Sequence, residues 1–218
     1  MKKLVILVLA FCICAAMLAA QEGGDFTVGS RLGFMFGFHS EGDDFKYIAP
    51  GAGMLDDSSL ANFNLAFYGE YSLTDAMALQ TEFNFMIAQG KKWSGYGTTV
   101  EVTYSSLDIP ILFKYAFLKK PLVVGALGGP YLSFPIGKMK DKISVSGYSV
   151  SDESDTEGIT FGMTLGAYAG FPLGPGRIVG DMRFIFDFNQ IQATYQNVTR
   201  KVLRRNGLVI TAGYEFTF

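Results

Sequence analysis

The last eleven residues, Leu208 to Phe218, constrain the chain most. One alternating set is Leu208, Ile210, Ala212, Tyr214, Phe216 and Phe218; the other is Val209, Thr211, Gly213, Glu215 and Thr217. The first set is wholly apolar or aromatic, and the second is small or polar apart from Val209. A repeat of two is the strand period, because successive side chains leave a strand on opposite faces. A strand with such an aromatic face, left at the edge of a sheet in water, would aggregate. Against lipid the same face is stable, and an aromatic last strand is what closes a transmembrane β-barrel.

Seven earlier segments carry related alternation. Strands are expected near 25–38, 60–71, 76–88, 105–117, 122–136, 159–171 and 177–189. In 25–38 the bulky set is Phe26, Val28, Leu32, Phe34, Phe36 and Phe38, against Thr27, Gly29, Arg31, Gly33, Met35 and Gly37. In 177–189 Met182, Phe184, Phe186 and Phe188 oppose Asp181, Arg183, Asp187 and Asn189. The glycine-rich segment 122–136 shows no clear facing. Connections alternate long and short: loops over 39–59, 89–104, 137–158 and 190–206, turns near 72–75, 118–121 and 172–176. Eight strands with long loops on one side and short turns on the other are the plan of an outer-membrane barrel. Segments of about 12–14 residues, rising about 3.3 Å each and tilted about 45°, climb about 30 Å, enough to cross a bilayer. The hydrocarbon offers the backbone no hydrogen-bond partner, so such a sheet must close on itself. The expectation is an all-β chain: an eight-stranded antiparallel up-and-down transmembrane β-barrel, both termini periplasmic. A soluble lipocalin-like barrel would need the reverse facing, with the aromatics inside.

The start of the chain fits that destination. Lys2 and Lys3 precede an apolar run from Leu4 to Leu18, then Ala19-Ala20-Gln21. This reads as a signal peptide over residues 1–20, cut after Ala20, with the barrel domain over 21–218. A lipoprotein signal using Cys12 or Cys14 is disfavoured by Phe11 and Ile13, which stand where small residues belong. Both cysteines lie in this segment, so the mature chain has no thiol chemistry. Without Lys2 and Lys3, 16 basic residues stand against 20 acidic ones, which argues against a nucleic-acid partner.

The polar face gathers the candidate site. Arg31, Glu70, Glu82, Asp108, Lys114, Asp181, Arg183, Asp187 and Glu215 are expected to point into the barrel. Eight strands leave an interior that side chains alone can fill, and buried charges must pair or stay hydrated. The expected outcome is a plug of paired charges; the alternative is a narrow polar or proton-linked conduit. His39, the only histidine, is expected as a solvated rim residue. Ser40 and Glu41 beside it do not make a catalytic triad by adjacency. No enzyme activity, cofactor or metal site is expected. Asp152, Glu153, Asp155 and Glu157 read as a solvated acidic loop without calcium-loop spacing. Arg200, Lys201, Arg204 and Arg205 read as a basic cluster near lipid head groups, and Asn197-Val198-Thr199 as a chance sequon. Pro110 is expected to mark a bulge or kink, and Pro130 and Pro135 the same in the fifth strand.

The segment Leu107-Asp108-Ile109-Pro110-Ile111-Leu112-Phe113-Lys114-Tyr115, followed by Lys120-Pro121 and Gly125 to Leu132, resembles the PorT-like outer-membrane β-barrel family. The plan is also similar to the OmpX, OmpA and OmpW barrels. That resemblance implies location and fold more than activity. The partners expected are outer-membrane lipids, the barrel-assembly machinery through the strand ending at Phe218, and an extracellular ligand met by the loops, with the barrel a monomer. Two functions remain open: a surface or envelope-structural role, and a narrow pore or lateral path for small solutes.

Overall fold

A computed structural model describes residues 25–41, 43–44, 55–145, 148–195 and 198–218. The expected signal segment with its cysteines, and Asn197, lie outside them. Thirteen strands occur among the described residues: β1 (Phe26–Gly37), β2 (Ser40–Glu41), β3 (Asp56–Ser59), β4 (Ala61–Ser72), β5 (Met77–Gly95), β6 (Thr98–Leu118), β7 (Val123–Val145), β8 (Tyr148–Glu157), β9 (Thr160–Leu173), β10 (Gly176–Asp187), β11 (Ile191–Tyr195), β12 (Val198–Arg204) and β13 (Asn206–Thr217).

Eight of them form the ring β1–β4–β5–β6–β7–β9–β10–β13, every pair antiparallel. Ring neighbours are also neighbours in sequence, apart from the closing pair. That pair, β1 and β13, runs in unbroken register from Thr27–Thr217 to Gly37–Gly207. Past its end, Phe26 and Phe218 exchange backbone hydrogen bonds of 3.2 and 2.8 Å. The eight-stranded barrel expected from the alternation is therefore present, sealed by the last strand.

The facing follows the two solvents the wall separates. Leu32, Phe34, Phe67, Phe113, Met182, Phe184 and Ile210 point outward and are exposed, while Arg31, Glu82, Lys114, Asp181, Arg183 and Glu215 point inward and are buried. In the glycine-rich strand the structure assigns Leu127, Tyr131 and Ser133 to the inside. Inner glycines make room for long neighbours: a Cβ on Gly29 would lie 2.4 Å from the Tyr68 ring, and one on Gly213 would lie 2.6 Å from Cγ of Arg31.

Three expected loops are largely strand. β5 and β6 run on past the outer aromatic band as one hairpin, turned by Tyr96 and Gly97 at φ 50° and 75°. Those two positive values make the tight turn that matches strand twist. β7 and β8 form a second long hairpin, and β11 and β12 a third. Together with β2 and β3 they make a collar on the long-connection side, in which β8 sits between β7 and β11. Glycines and lysines in these stretches suggest loops, but Trp93, Val100, Val102 and Tyr104 are buried and build an apolar core there with Met139, Ile191, Ala193, Val202 and Leu203. A bulge at Ala88, with φ 56°, shifts the β5 register between Met86 and Gln89. Below it Gln80, Glu82 and Met86 are buried; above it Gln89, Lys91 and Trp93 are. One extra residue thus exchanges the two faces of the strand.

Pro110 makes no bulge. It pairs with Tyr131 in β7, and on its other side the β5–β6 ladder passes from Thr81–Ile111 to Asn84–Asp108 without a register shift. Its carbonyl accepts a hydrogen bond from the Thr81 hydroxyl at 3.2 Å.

Candidate functional site

The barrel interior holds three polar layers. Nearest the short turns, Lys114 donates to Glu70 at 2.5 Å and to Gln80 at 3.1 Å, and its ammonium lies 4.2 Å from the Tyr168 ring centre. In the same layer Glu215 accepts from the Tyr68 hydroxyl and from Nε of Arg177, each at 2.5 Å. Two cations face two carboxylates.

In the middle layer Arg31 bridges Glu82 and Asp181. Arg183 donates to the same pair, at 2.9 Å to Glu82 and 2.8 Å to Asp181. All four side chains are at most 5% exposed. Charges this far from water are tolerated because each carboxylate meets two guanidinium groups. Arg31 also lies 4.3 Å from the Tyr68 ring centre, which ties this layer to the first.

An apolar cluster of Met35, Met86, Tyr131, Ile185 and Val209 comes next. Beyond it Arg205 pairs with Asp108 at 2.8 Å and Asp187 at 3.2 Å. Tyr131 donates its hydroxyl to Asp187, and Ser106 and Ser133 donate to Asp108 at 2.9 and 2.5 Å. The collar core caps this layer.

The nine residues read from the sequence therefore fall into three layers, the first two joined through Gln80, which donates to Glu82. Two members were missed. Arg205, expected at the lipid head groups, is instead 1% exposed inside the barrel. Strand β13 begins at Asn206, and the inward phase of Val209 and Gly207, carried one step back, points Arg205 inward. Arg177 follows from the phase of Asp181 and Arg183 in the same way. The rest of that basic cluster belongs to β12, where Lys201 lies 3.7 Å from Asp43. The acidic stretch 152–157 is part of strand β8, with Glu153 3.7 Å from Lys138.

His39 is a correction. It is 4% exposed, just beyond Phe38 and above the outer aromatic band, with its ring edge-on to Tyr104 and Nε2 3.3 Å from the Tyr104 hydroxyl. Burial, then the positive charges of Arg205 and Lys91, push its pKa down to about 3. A solvated rim would have left it free to titrate. The collar, invisible as a core in the sequence, covers it.

Among the described residues no group of three or more His, Asp or Glu side chains is arranged to hold a metal ion. A cavity of about 10 Å³, close to one water molecule, lies where the wall changes partners. It is lined in part by Tyr104, Ser133, Pro135, Gly158 and Thr160. β7 leaves β9 after Ser133–Thr160 and pairs with β8 from Lys138–Asp155.

Comparison with known proteins gives the same architecture. The family model for the outer membrane protein beta-barrel domain matches residues 19–192. The outer membrane protein OprG of Pseudomonas aeruginosa is similar in structure, with a TM-score of 0.57 at 10% identity, covering 89% of this chain and 96% of that one. A major outer membrane protein from Thermus thermophilus has a TM-score of 0.55 at 15% identity, covering 90% of this chain and 100% of that one. At these identities the likeness is one of fold. No curated protein matches the sequence.

Proposed function

The chain belongs to the outer membrane protein beta-barrel domain family, and on that premise we propose that it is a non-enzymatic surface protein of a diderm bacterium's outer membrane. The barrel is an anchor, and the collar is the working part, held outside the cell for contact with external or envelope molecules. Within the family, its 107–115 segment supports kinship with the PorT-like barrels. The observation that carries the reading is the filled interior. Three charge-paired layers and an apolar cluster occupy the axis, and nearly all of their side chains are buried. A barrel built to conduct would keep a hydrated lumen.

The test is single-channel conductance of the mature protein refolded into a planar bilayer, with heat-modifiable gel mobility showing that it folded. Silence is the expected result. Steady steps changed by Lys114→Ala or Asp181→Ala would instead make the charged layers a conduit.

One observation favours a second reading. The seam where β7 passes from β9 to β8 carries the small cavity, at the level where the outer face turns from apolar to polar. Widening there would give a lateral path for a small apolar solute. Ser133→Cys with Thr160→Cys would lock the seam, since the two residues are ladder partners. Uptake into liposomes that stops on oxidation and returns on reduction would favour this path over the surface role.

A further inference from the structure

The seam of the wall is framed by two breaks in the ladder. β7 leaves β9 after the pair Ser133–Thr160 and meets β8 from Lys138–Asp155. Gly137 and Gly158, at φ 74° and 84°, turn the chain aside there, a conformation that a Cβ disfavours. On this side of β7, residues 134–136 face no strand among the described residues. Carbonyl oxygens released from the ladder need another partner.

The cavity in this gap has room for about one water molecule. Its polar side chains are Tyr104, Ser106, Ser133, Glu157 and Thr160, which carry oxygen and no nitrogen. Four of them are at most 7% exposed, and the exposed Glu157 lies at the mouth. Ser106 is spent, because it donates to Asp108 and accepts from Gln89 and Arg205. Ser133 donates to Asp108 at 2.5 Å and accepts from no described residue. The buried Thr160 hydroxyl bonds to no described residue. Buried oxygens left in this state call for a ligand that brings protons or positive charge.

Charge selects between the two. In the adjoining layer Asp108 and Asp187 meet one cation, Arg205. The nearby lysines are engaged elsewhere: Lys91 with Glu41, Lys138 with Glu153 and Lys201 with Asp43. Asp108, Asp187 and Glu157 against Arg205 leave two negative charges. An all-oxygen lining with that excess fits a hard divalent cation. Calcium suits an irregular cage, since it accepts about six to eight oxygens in flexible geometry, whereas magnesium demands a near-ideal octahedron.

We propose that this cavity binds one calcium ion. Glu157 and the Thr160 and Ser133 hydroxyls are its protein ligands, and released carbonyls of residues 134–136 and outside water complete the shell. The ion ties β7, β8 and β9 together where the ladder between them is interrupted. Only Glu157 comes from the acidic stretch 152–157, and the other oxygens come from β7 and β9 and the stretch between ladders. No calcium-loop spacing and no group of three acidic side chains therefore marks the site. The site is independent of the surface role and holds whether or not the collar meets a partner.

The test is isothermal titration calorimetry of calcium chloride into the full mature barrel, stripped of metal with a chelator, in nanodiscs of zwitterionic lipid. One ion per barrel is expected, with a dissociation constant of about 10⁻⁴–10⁻³ M, the range of extracellular calcium modules. Hydrogen exchange should slow at 134–137 and 157–160 when calcium is present. Glu157 is exposed at a strand end, so Glu157→Gln keeps the fold, as heat-modifiable mobility will show, and should weaken binding about tenfold or more. Thr160→Val keeps the shape, removes one ligand and should weaken binding about tenfold. Glu153→Gln, on the same strand but engaged with Lys138, should leave the affinity unchanged. No calcium heat above that of empty nanodiscs means that the cavity holds an ordered water only, and overturns the proposal. Unchanged affinity in Glu157→Gln, an equal loss in Glu153→Gln, or magnesium binding as tight as calcium overturns it too.

Discussion

The band that meets lipid and the collar that meets water have opposite facing, although β5, β6 and β7 run through both. In the band Phe113, Met182 and Phe184 point out, and Arg31, Glu82 and Arg183 point in. In the collar Trp93, Val102 and Leu203 point in, and Lys140, Lys142 and Glu153 point out. Lipid solvates apolar side chains at no cost, so the band has no reason to bury them and uses its narrow interior for paired charge. Water outside the collar restores the usual hydrophobic drive inward. The facing of a strand is set by its solvent, and one bulge at Ala88 is enough to switch β5 from one regime to the other.

Breaking the band's interior should have the largest effect. Glu82→Ala leaves Arg31 and Arg183 sharing Asp181 alone, and should cost about 3–5 kcal/mol in urea unfolding from lipid vesicles. An unchanged midpoint would mean that the middle layer is hydrated rather than paired. The matching lesion in the collar is Trp93→Ala, about 3–5 kcal/mol by core truncation but confined to the collar. Hydrogen exchange should speed up in the β5–β6 hairpin above Gln89 while the band keeps its protection. If the band loosens equally, the two regions are one cooperative unit.

An outward charge separates the regimes directly. Met182→Arg should cost about 2–4 kcal/mol near the bilayer midplane, falling toward zero for an equivalent change above it. Ser151→Arg, on the collar's wet face, supplies that comparison and should leave folding yield and stability unchanged. Equal penalties would mean that the lipid boundary lies elsewhere.

A pH dependence is located in the collar. The folded pKa of His39 lies near 3, below the ordinary value near 6.5. Above about pH 6.5 both folded and unfolded chains hold it neutral and its contribution is intact. As pH falls, the unfolded chain takes up a proton that the folded chain refuses, so stability is lost toward pH 3, by at most about 1.4 kcal/mol per unit. His39→Gln should flatten that part of the profile between pH 6 and 4. An identical slope in both proteins would place His39 in water.

Much of the band was legible because lipid imposes period 2 on every strand that crosses it. The eight ring strands, their up-and-down order and the inward positions of Arg31, Glu82 and Asp181 all follow from that repeat. Arg177 and Arg205 obey the same phase and were passed over at strand ends, where turn and loop residues blur the pattern. The collar was harder to read. Its apolar residues are spread over 93–104, 139, 191–193 and 202–203 and come together only when three hairpins stand side by side, so no single window shows them. The burial of His39 depended on that assembly.

The sequence by itself determined that the chain is a closed β-barrel with an apolar outside, because alternation is local and each strand carries its own copy. The tertiary structure decided which charges meet, where the wall changes partners, and what lies above the membrane. Those depend on register around a closed ring and on a one-residue bulge, and both set contacts between residues far apart in the chain.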